Sequence, residues 1–311
     1  MPAEVCCVCG KSVTGAARML GGRAFCDEHF ARVGRDRKGM WTAILVLIFG
    51  LAAFVAAVFF LAPENALTGP ALVAVGLLLA LVPAVIWLVV FYLQDRAEPE
   101  PKQYLSGVFI LGLLLAAAVG QPLIREAFRV NEWASASLGL RLLAGIAIVG
   151  ITQEFLKYAA VRYSIFNSAE FDERIDGVIY GAAAGLGYAT YLNVEYVLSN
   201  GGVDLGVGAV RAAVVALAHA SFAGVTGYFL GRAKFENRGP FWLPTGLLLA
   251  AVLNGVVTTL LSEITRTGLR STPLNGLILA AALAAVTFAV LFGIMRRGSR
   301  PVPAATEGAN P

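Results

Sequence analysis

Eight predominantly apolar runs follow one another along the chain, at about residues 41–62, 71–93, 104–124, 138–161, 177–198, 207–230, 241–264 and 274–295. Each is near the ~20 residues that an α-helix needs to cross a hydrocarbon core of about 30 Å. Short polar links separate them. One charged link, 94–102, is stiffened by Pro99 and Pro101. The pattern predicts an all-α polytopic membrane protein of about eight transmembrane helices. Composition agrees, since a chain with 58% hydrophobic and 14% charged residues is too apolar for an ordinary soluble domain.

A different kind of sequence precedes the first run. Residues 1–40 are polar and hold all four cysteines, so no secretory signal is read there. Cys6-x-x-Cys9, a 16-residue gap and Cys26-x-x-His29 give the ligand spacing of a tetrahedral structural zinc. Glycines 10, 15, 21 and 22 permit the turns between the two knuckles. Forty residues cannot hold a core unaided, and a bound Zn2+ would supply the missing folding energy. A redox Cys-x-x-Cys and cysteines used as small apolar residues are the rival readings; Cys7 is spare in the zinc reading. The expected division is a zinc-ribbon-like module at 1–40, a transmembrane domain at 41–296 and a flexible cytosolic tail at 297–311.

Net charge matters here only through its placement, because +4 is too small to suggest nucleic acid. With the N-terminus inside, the inner segments collect Arg32, Arg35, Arg37 and Lys38, then Arg96 and Lys102, Arg162 and Arg174, Arg232, Lys234 and Arg238, and Arg296, Arg297 and Arg300. The outer segments hold only Arg125, Arg129, Arg266 and Arg270. The positive-inside rule then puts both termini in the cytosol, where thiolates stay reduced.

The candidate chemistry lies in polar residues inside the apolar runs. The fourth run carries Gln153, Glu154 and Lys157, and a charge at mid-bilayer costs roughly 2.5–3.5 kcal/mol on insertion scales. Glu154 and Lys157 share a helical face. The bland alternative is a self-neutralising pair near the boundary with Lys157 snorkelling outward. The fifth run has small residues every four positions, Gly177, Gly181, Gly185 and Ala189, a stripe for close helix packing. Asn193 and Glu195 come later in it, and Glu195 reads equally as a functional carboxylate or as one emerging at the outer interface. His219, in the sixth run, is the membrane part's only histidine. It reads as a metal ligand or as an interhelical hydrogen-bonding group. Asn254 in the seventh run is placed to bond across helices or to face a wet cavity.

Four stretches, in this order, resemble the PrsW family of intramembrane metalloproteases, which is grouped with the CAAX-processing and bacteriocin-processing membrane proteases. Asp95-Arg-Ala-Glu-Pro-Glu-Pro-Lys102 is similar to the family's acidic Glu-Pro link. Gln153-Glu-Phe-Leu-Lys157 is similar to its Glu-Glu-x-x-Lys motif. The segment from Asp176-Gly-Val-Ile-Tyr-Gly to Asn193 resembles Asp-Gly-(Ile/Val)-x-Tyr-Gly…Gly-Phe-Ala-x-x-Glu-Asn. Ala218-His219-Ala-Ser-Phe-Ala-Gly resembles the first histidine motif, and Leu253-Asn254-Gly255 sits where the family has Leu-His-Gly. The resemblance does not extend to the N-terminal module.

The resemblance implies peptide hydrolysis within or beside the bilayer, on a membrane-anchored protein, with a divalent metal, Zn2+, held by glutamate and histidine. It also implies the bacterial inner membrane. Three positions depart from the pattern: Gln153 replaces a glutamate, Leu192 stands where a glutamate is expected, and Asn254 replaces a histidine. Glu195, about 60° short of a full turn and 4.5 Å beyond Leu192, is a displaced ligand candidate. The implied site is therefore Glu154 and His219, joined by Glu195 and Asn254 as metal ligands, with Gln153 and Lys157 in the catalytic surroundings. Two other readings stand beside it. One is a catalytically degenerate relative that binds or regulates a membrane partner without hydrolysis. The other is a proton-linked carrier using Glu154, Lys157 and His219 as a relay, which the absence of paired Gly/Pro-broken runs does not favour.

Overall fold

A computed structural model describes residues 5–13, 18–20, 23–34, 40–61, 67–94, 101–202 and 204–266, with a few positions between 278 and 289. The predicted eighth span, the acidic stretch 95–100, the tail 297–311 and several of the basic residues used for orientation lie wholly or largely outside the described residues.

The N-terminal module is a two-stranded antiparallel sheet, β1 (Arg18–Leu20) and β2 (Arg23–Phe25), followed by helix α1 (Asp27–Gly34). Met19 pairs with Ala24 in the register. Ahead of the sheet, the first knuckle closes through Cys6 N–H to the Lys11 carbonyl (2.9 Å) and Gly10 N–H to the Cys6 carbonyl (3.0 Å). Gly10 has φ +70°, a left-handed conformation that a side chain would strain, so glycine is needed at this turn.

The membrane part begins with α2 (Met40–Leu61) and α3 (Gly69–Gln94). Helix α4 (Lys102–Leu115) continues through π-helical turns at Ala116–Gly120 and Leu123–Ala127. Short α5 (Val130–Trp133) leads to α6 (Leu138–Ala144), which passes through a π-helical turn, Gly145–Gly150, into α7 (Ile151–Ser164). The chain then forms α8 (Asp176–Ser199), α9 (Leu205–Phe235) and α10 (Trp242–Arg266).

Five segments among the described residues are long and apolar enough to cross a membrane: Gly69–Val89, Lys102–Ala136, Leu138–Ser164, Leu205–Phe235 and Trp242–Ser262. The predicted first span is helix α2, 22 residues long and without a charged side chain. The predicted fifth span is helix α8, and it is not among the five. Its position explains why. Every residue from Asp176 to Thr190 is buried, because α3, α4, α7 and α9 all pack against it. A helix with no lipid-facing side can be built from glycine, alanine and tyrosine, and close approach then replaces apolar bulk as its source of stability.

The glycine stripe does what its spacing predicts. A Cβ at Gly177, Gly181 or Gly185 would fall on the carbonyl oxygen of Gly227, Ala223 or His219 respectively, all on α9. On the opposite side, a Cβ at Gly187 would meet the Phe109 carbonyl of α4, and one at Gly112 that of Ala184. Helix α8 is thus clamped at backbone contact between two neighbours.

Candidate metal centres

Two clusters of donor side chains stand out. In the first, the ligating atoms of Cys6, Cys9, Cys26 and His29 all lie within 4.8 Å of one another, and none of these cysteines is in a disulfide. His29 Nδ1 faces the thiols, 3.0 Å from Cys26 Sγ and 3.8 Å from Cys6 Sγ. Burial pushes the Cys6 thiol up, but hydrogen bonds from the backbone of Cys9, Cys26 and Val8 outweigh it and set the group at about 7. A thiol so lowered is closer to the thiolate that binds metal. The spacing read from the sequence thus closes into a Cys3His cluster able to hold a metal ion.

The second cluster lies inside the bundle. Gly145 and Gly150 are five residues apart, which in an α-helix would face them nearly oppositely. The π-helical turn between them brings both toward α10, where a Cβ at Gly145 would meet Gly255 and one at Gly150 the Ala251 carbonyl. This close contact carries Asn254 against the first turn of α7. Asn254 Nδ2 donates to Gln153 Oε1 (2.9 Å) and to Glu154 Oε1 (2.7 Å). One turn along α7, Lys157 Nζ donates to the same Glu154 oxygen at 2.5 Å and to His219 Nδ1 at 3.0 Å. The His219 ring stacks on Tyr188 of α8, with centroids 5.7 Å apart and planes at 24°. Phe222 meets it edge-on from the next turn of α9.

All of these side chains are buried, Glu154 and Asn254 completely. Lys157 therefore does not snorkel. At 1% exposure it points inward, because Glu154 and His219 receive its ammonium there and Tyr188 and Phe222 offer their ring faces at 5.5 and 5.8 Å. Glu154 Oε2 and Asn254 Oδ1 are buried acceptors that no hydrogen bond reaches. A carboxylate, an imidazole and an amide with unmet acceptor oxygens fit a divalent cation that takes oxygen and nitrogen ligands. In the structure the Lys157 ammonium lies between the carboxylate and the imidazole.

Gln153, Glu154, Lys157, His219 and Asn254 are thus brought together from α7, α9 and α10. Glu195 is not. Its Oε1 pairs with Arg125 Nη1 at 2.5 Å, beyond the end of α4, so the displaced-ligand expectation meets a carboxylate already turned to another partner. Leu192, one turn beyond the stacked tyrosine, packs against the cluster of Ala116, Leu156 and Tyr188. Asn193 serves the α8–α9 contact, donating to the Ala212 carbonyl (3.2 Å) and accepting from Arg211 (2.9 Å).

The sequence reading assigned no role to Tyr188 or Asp176. The carboxylate of Asp176 accepts the backbone N–H groups of Asp172 (2.8 Å) and Glu173 (2.6 Å), fixing the loop that enters α8. A tyrosine on the buried face of a glycine stripe was the available signal for Tyr188, but nothing in its spacing told a stacking partner from core.

Long apolar helices around a buried carboxylate–lysine–imidazole cluster define an integral membrane protein with a candidate catalytic centre inside its bundle. The profile of the PrsW family intramembrane metalloprotease matches residues 100–292. Protease PrsW of Geobacillus kaustophilus (strain HTA426) is 33% identical over 190 residues, 60% of this chain and 79% of that protein. The Protease PrsW proteins of Halalkalibacterium halodurans (30% over 186 residues; 58% of this chain, 81% of the relative) and Bacillus subtilis strain 168 (29% over 184 residues; 58% and 80%) align similarly. No solved structure matches. The chain belongs to the PrsW family of intramembrane metalloproteases, and at the level of its family it is a peptidase. The N-terminal module lies outside the matched region.

Proposed function

We propose that this protein is an intramembrane metallopeptidase that hydrolyses a membrane-anchored protein, with Glu154, His219 and Asn254 holding a divalent ion, Zn2+, and with the Cys6, Cys9, Cys26 and His29 module carrying a second, structural Zn2+. The observation that carries the reading is the convergence of Glu154, His219 and Asn254, from three helices, on one buried polar cluster. Glu195 is left out of the ligand set because Arg125 engages it. A catalytic ion when bound supplies Lewis acidity and a water of lowered pKa. The chain's own residues fix the site: Asn254 orients the Glu154 carboxylate, Gln153 holds the Asn254 amide, and Tyr188 sets the plane of the His219 ring. Gln153 accepts a hydrogen bond but takes no proton, so the carboxylate usual at its position is missing as a general base and turnover is low. The placement of Lys and Arg supports an N-terminus in the cytosol, the family supports the bacterial inner membrane, and the polar head ahead of the apolar runs supports the division 1–40, 41–296 and 297–311.

Metal analysis of the full detergent-purified chain tests this. The wild type should carry two ions, His219→Ala one, and Cys9→Ser/Cys26→Ser one. A wild type with a single ion that the cysteine substitutions remove would refute the membrane site. Cleavage of a membrane-anchored reporter should be lost in Glu154→Gln and in His219→Ala.

A specific observation favours a second reading, a relative that binds a membrane partner without cutting it: Lys157 bridges the two strongest ligand candidates. Full complementation by Glu154→Gln and His219→Ala, with failure of Cys9→Ser, would select it.

A further inference from the structure

The zinc reading of the N-terminal module leaves the second ring nitrogen of His29 without a role. With Nδ1 turned to the thiols, Nε2 points out of the module, 3.8 Å from Asp172 Oδ2 on the loop between α7 and α8. Both side chains are largely covered, with 12% and 20% exposure. A metal-bound imidazole ordinarily gives its other N–H to a carboxylate or carbonyl, which fixes the tautomer and strengthens the ligand. Here a carboxylate from the membrane part of the chain, Asp172, lies within ion-pair reach of that nitrogen, at a distance that a small movement would shorten to a hydrogen bond.

The surroundings show a built junction. Phe25, the residue before Cys26, is completely buried and meets Phe235 at the end of α9, with centroids 6.3 Å apart. Phe235 also stacks on Phe171, which neighbours Asp172 and stacks in turn on Tyr180 of α8. Lys234 ties the same loop down through the Ser168 carbonyl at 2.8 Å. Asp172 is itself placed by its backbone N–H on Asp176, the buried first residue of α8. The module thus meets the bundle at two linked points, Phe25 on Phe235 and His29 beside Asp172, joined by the Phe171–Phe235 stack.

We propose that Asp172 completes the module's metal site as the outer partner of His29, so that metal binding by the module and its seating on the α7–α8 loop are one coupled event. The inference rests on the zinc reading of the module. The metal holds Cys26 and His29 in the geometry that seats Phe25 between Phe235 and Phe30, and the seated loop presents Asp172 to Nε2. Because α8 begins at Asp176 and carries Tyr188, the module is attached to the helix that positions His219.

Co2+ titration of the full-length protein in detergent tests the coupling. Thiolate-to-cobalt absorption reports the module alone, since the membrane cluster contains no thiolate. Asp172→Asn keeps the side-chain volume and the loop's backbone bonds to Asp176. It should weaken Co2+ binding by about 10–100-fold, with Zn2+ displacing the cobalt signal at correspondingly higher concentration. Hydrogen exchange over residues 165–176 should rise when the wild type is stripped by a chelator, and should be raised in metal-loaded Asp172→Asn. Unchanged cobalt affinity with unchanged exchange, while Cys26→Ser abolishes the absorption, would overturn the role of Asp172 and leave the zinc reading standing. A wild type with no thiolate-to-cobalt absorption would overturn both.

Discussion

Lys157 Nζ stands 3.0 Å from His219 Nδ1, so the ammonium of α7 closes the gap between the Glu154 carboxylate and the imidazole of α9. A buried carboxylate must be neutralised, and in the structure Lys157 does so. Removing one member of such a pair typically costs about 3–5 kcal/mol, because the other is left buried and uncompensated. Lys157→Met should therefore lower the melting temperature of the metal-free protein. Added Zn2+ should restore much of the loss, since a divalent ion on Glu154 replaces the ammonium. Thermal unfolding in detergent, with and without Zn2+, reads both effects. A variant that melts like the wild type in the absence of metal would show that the carboxylate does not need Lys157.

Gln153 and Asn254 hold each other, with the Gln153 oxygen accepting at 2.9 Å. Gln153→Glu preserves the acceptor and adds a group that moves a proton. General-base assistance is worth about 100–10,000-fold, so cleavage of a membrane-anchored reporter should rise by at least tenfold. Asn254→His should separately tighten binding of the membrane-site ion, measured by chelator competition, because imidazole replaces an amide. If neither variant changes cleavage or affinity, the hydrolytic reading of this chain fails.

Much of the helical frame was legible because lipid imposes it: long apolar runs must become helices when no water can satisfy their backbone. The α8 stripe was legible too, since glycines at four-residue spacing share a face of an α-helix. The contact between the Gly145–Gly150 turn and α10 was not. Gly145 and Gly150 read as opposite faces under a 3.6-residue period, and only the π-helical turn aligns them against Gly255 and Ala251. The approach of Asn254 to Glu154 depends on that turn, so half of the candidate site was invisible to periodicity. Likewise nothing in the sequence marks Asp172, which the fold brings to within 3.8 Å of His29, 143 residues earlier in the chain.

This contact gives a direct prediction. A side chain at Gly150 would strike the Ala251 carbonyl, and relieving it moves α10 away from α7. Gly150→Leu should destabilise the protein by at least about 1–3 kcal/mol and abolish membrane-site metal binding. Gly107, whose Cβ would meet nothing within 4 Å, is the matched control, and Gly107→Leu should leave both properties intact. Thermal unfolding combined with metal analysis compares the pair. Equal behaviour of the two variants would mean that the close approach is not what assembles the site.

The ligand count at the membrane cluster turns on Glu195 and Leu192. Glu195 is committed to Arg125 at 2.5 Å and is 17% exposed, whereas Leu192 packs against the cluster of Ala116, Leu156 and Tyr188, whose tyrosine stacks on His219. A carboxylate at 195 is turned about 60° from the direction of residue 192 and carried 4.5 Å further along the axis. Glu195→Gln should therefore leave the membrane-site metal content unchanged, in contrast to Glu154→Gln, which should remove it. Leu192→Glu should do the opposite and tighten metal binding, because it introduces a carboxylate on the face of α8 that carries Tyr188. Metal analysis after dialysis against a graded chelator series distinguishes the three variants. Loss of the ion in Glu195→Gln would show that Arg125 releases this carboxylate when metal binds, and would return Glu195 to the ligand set.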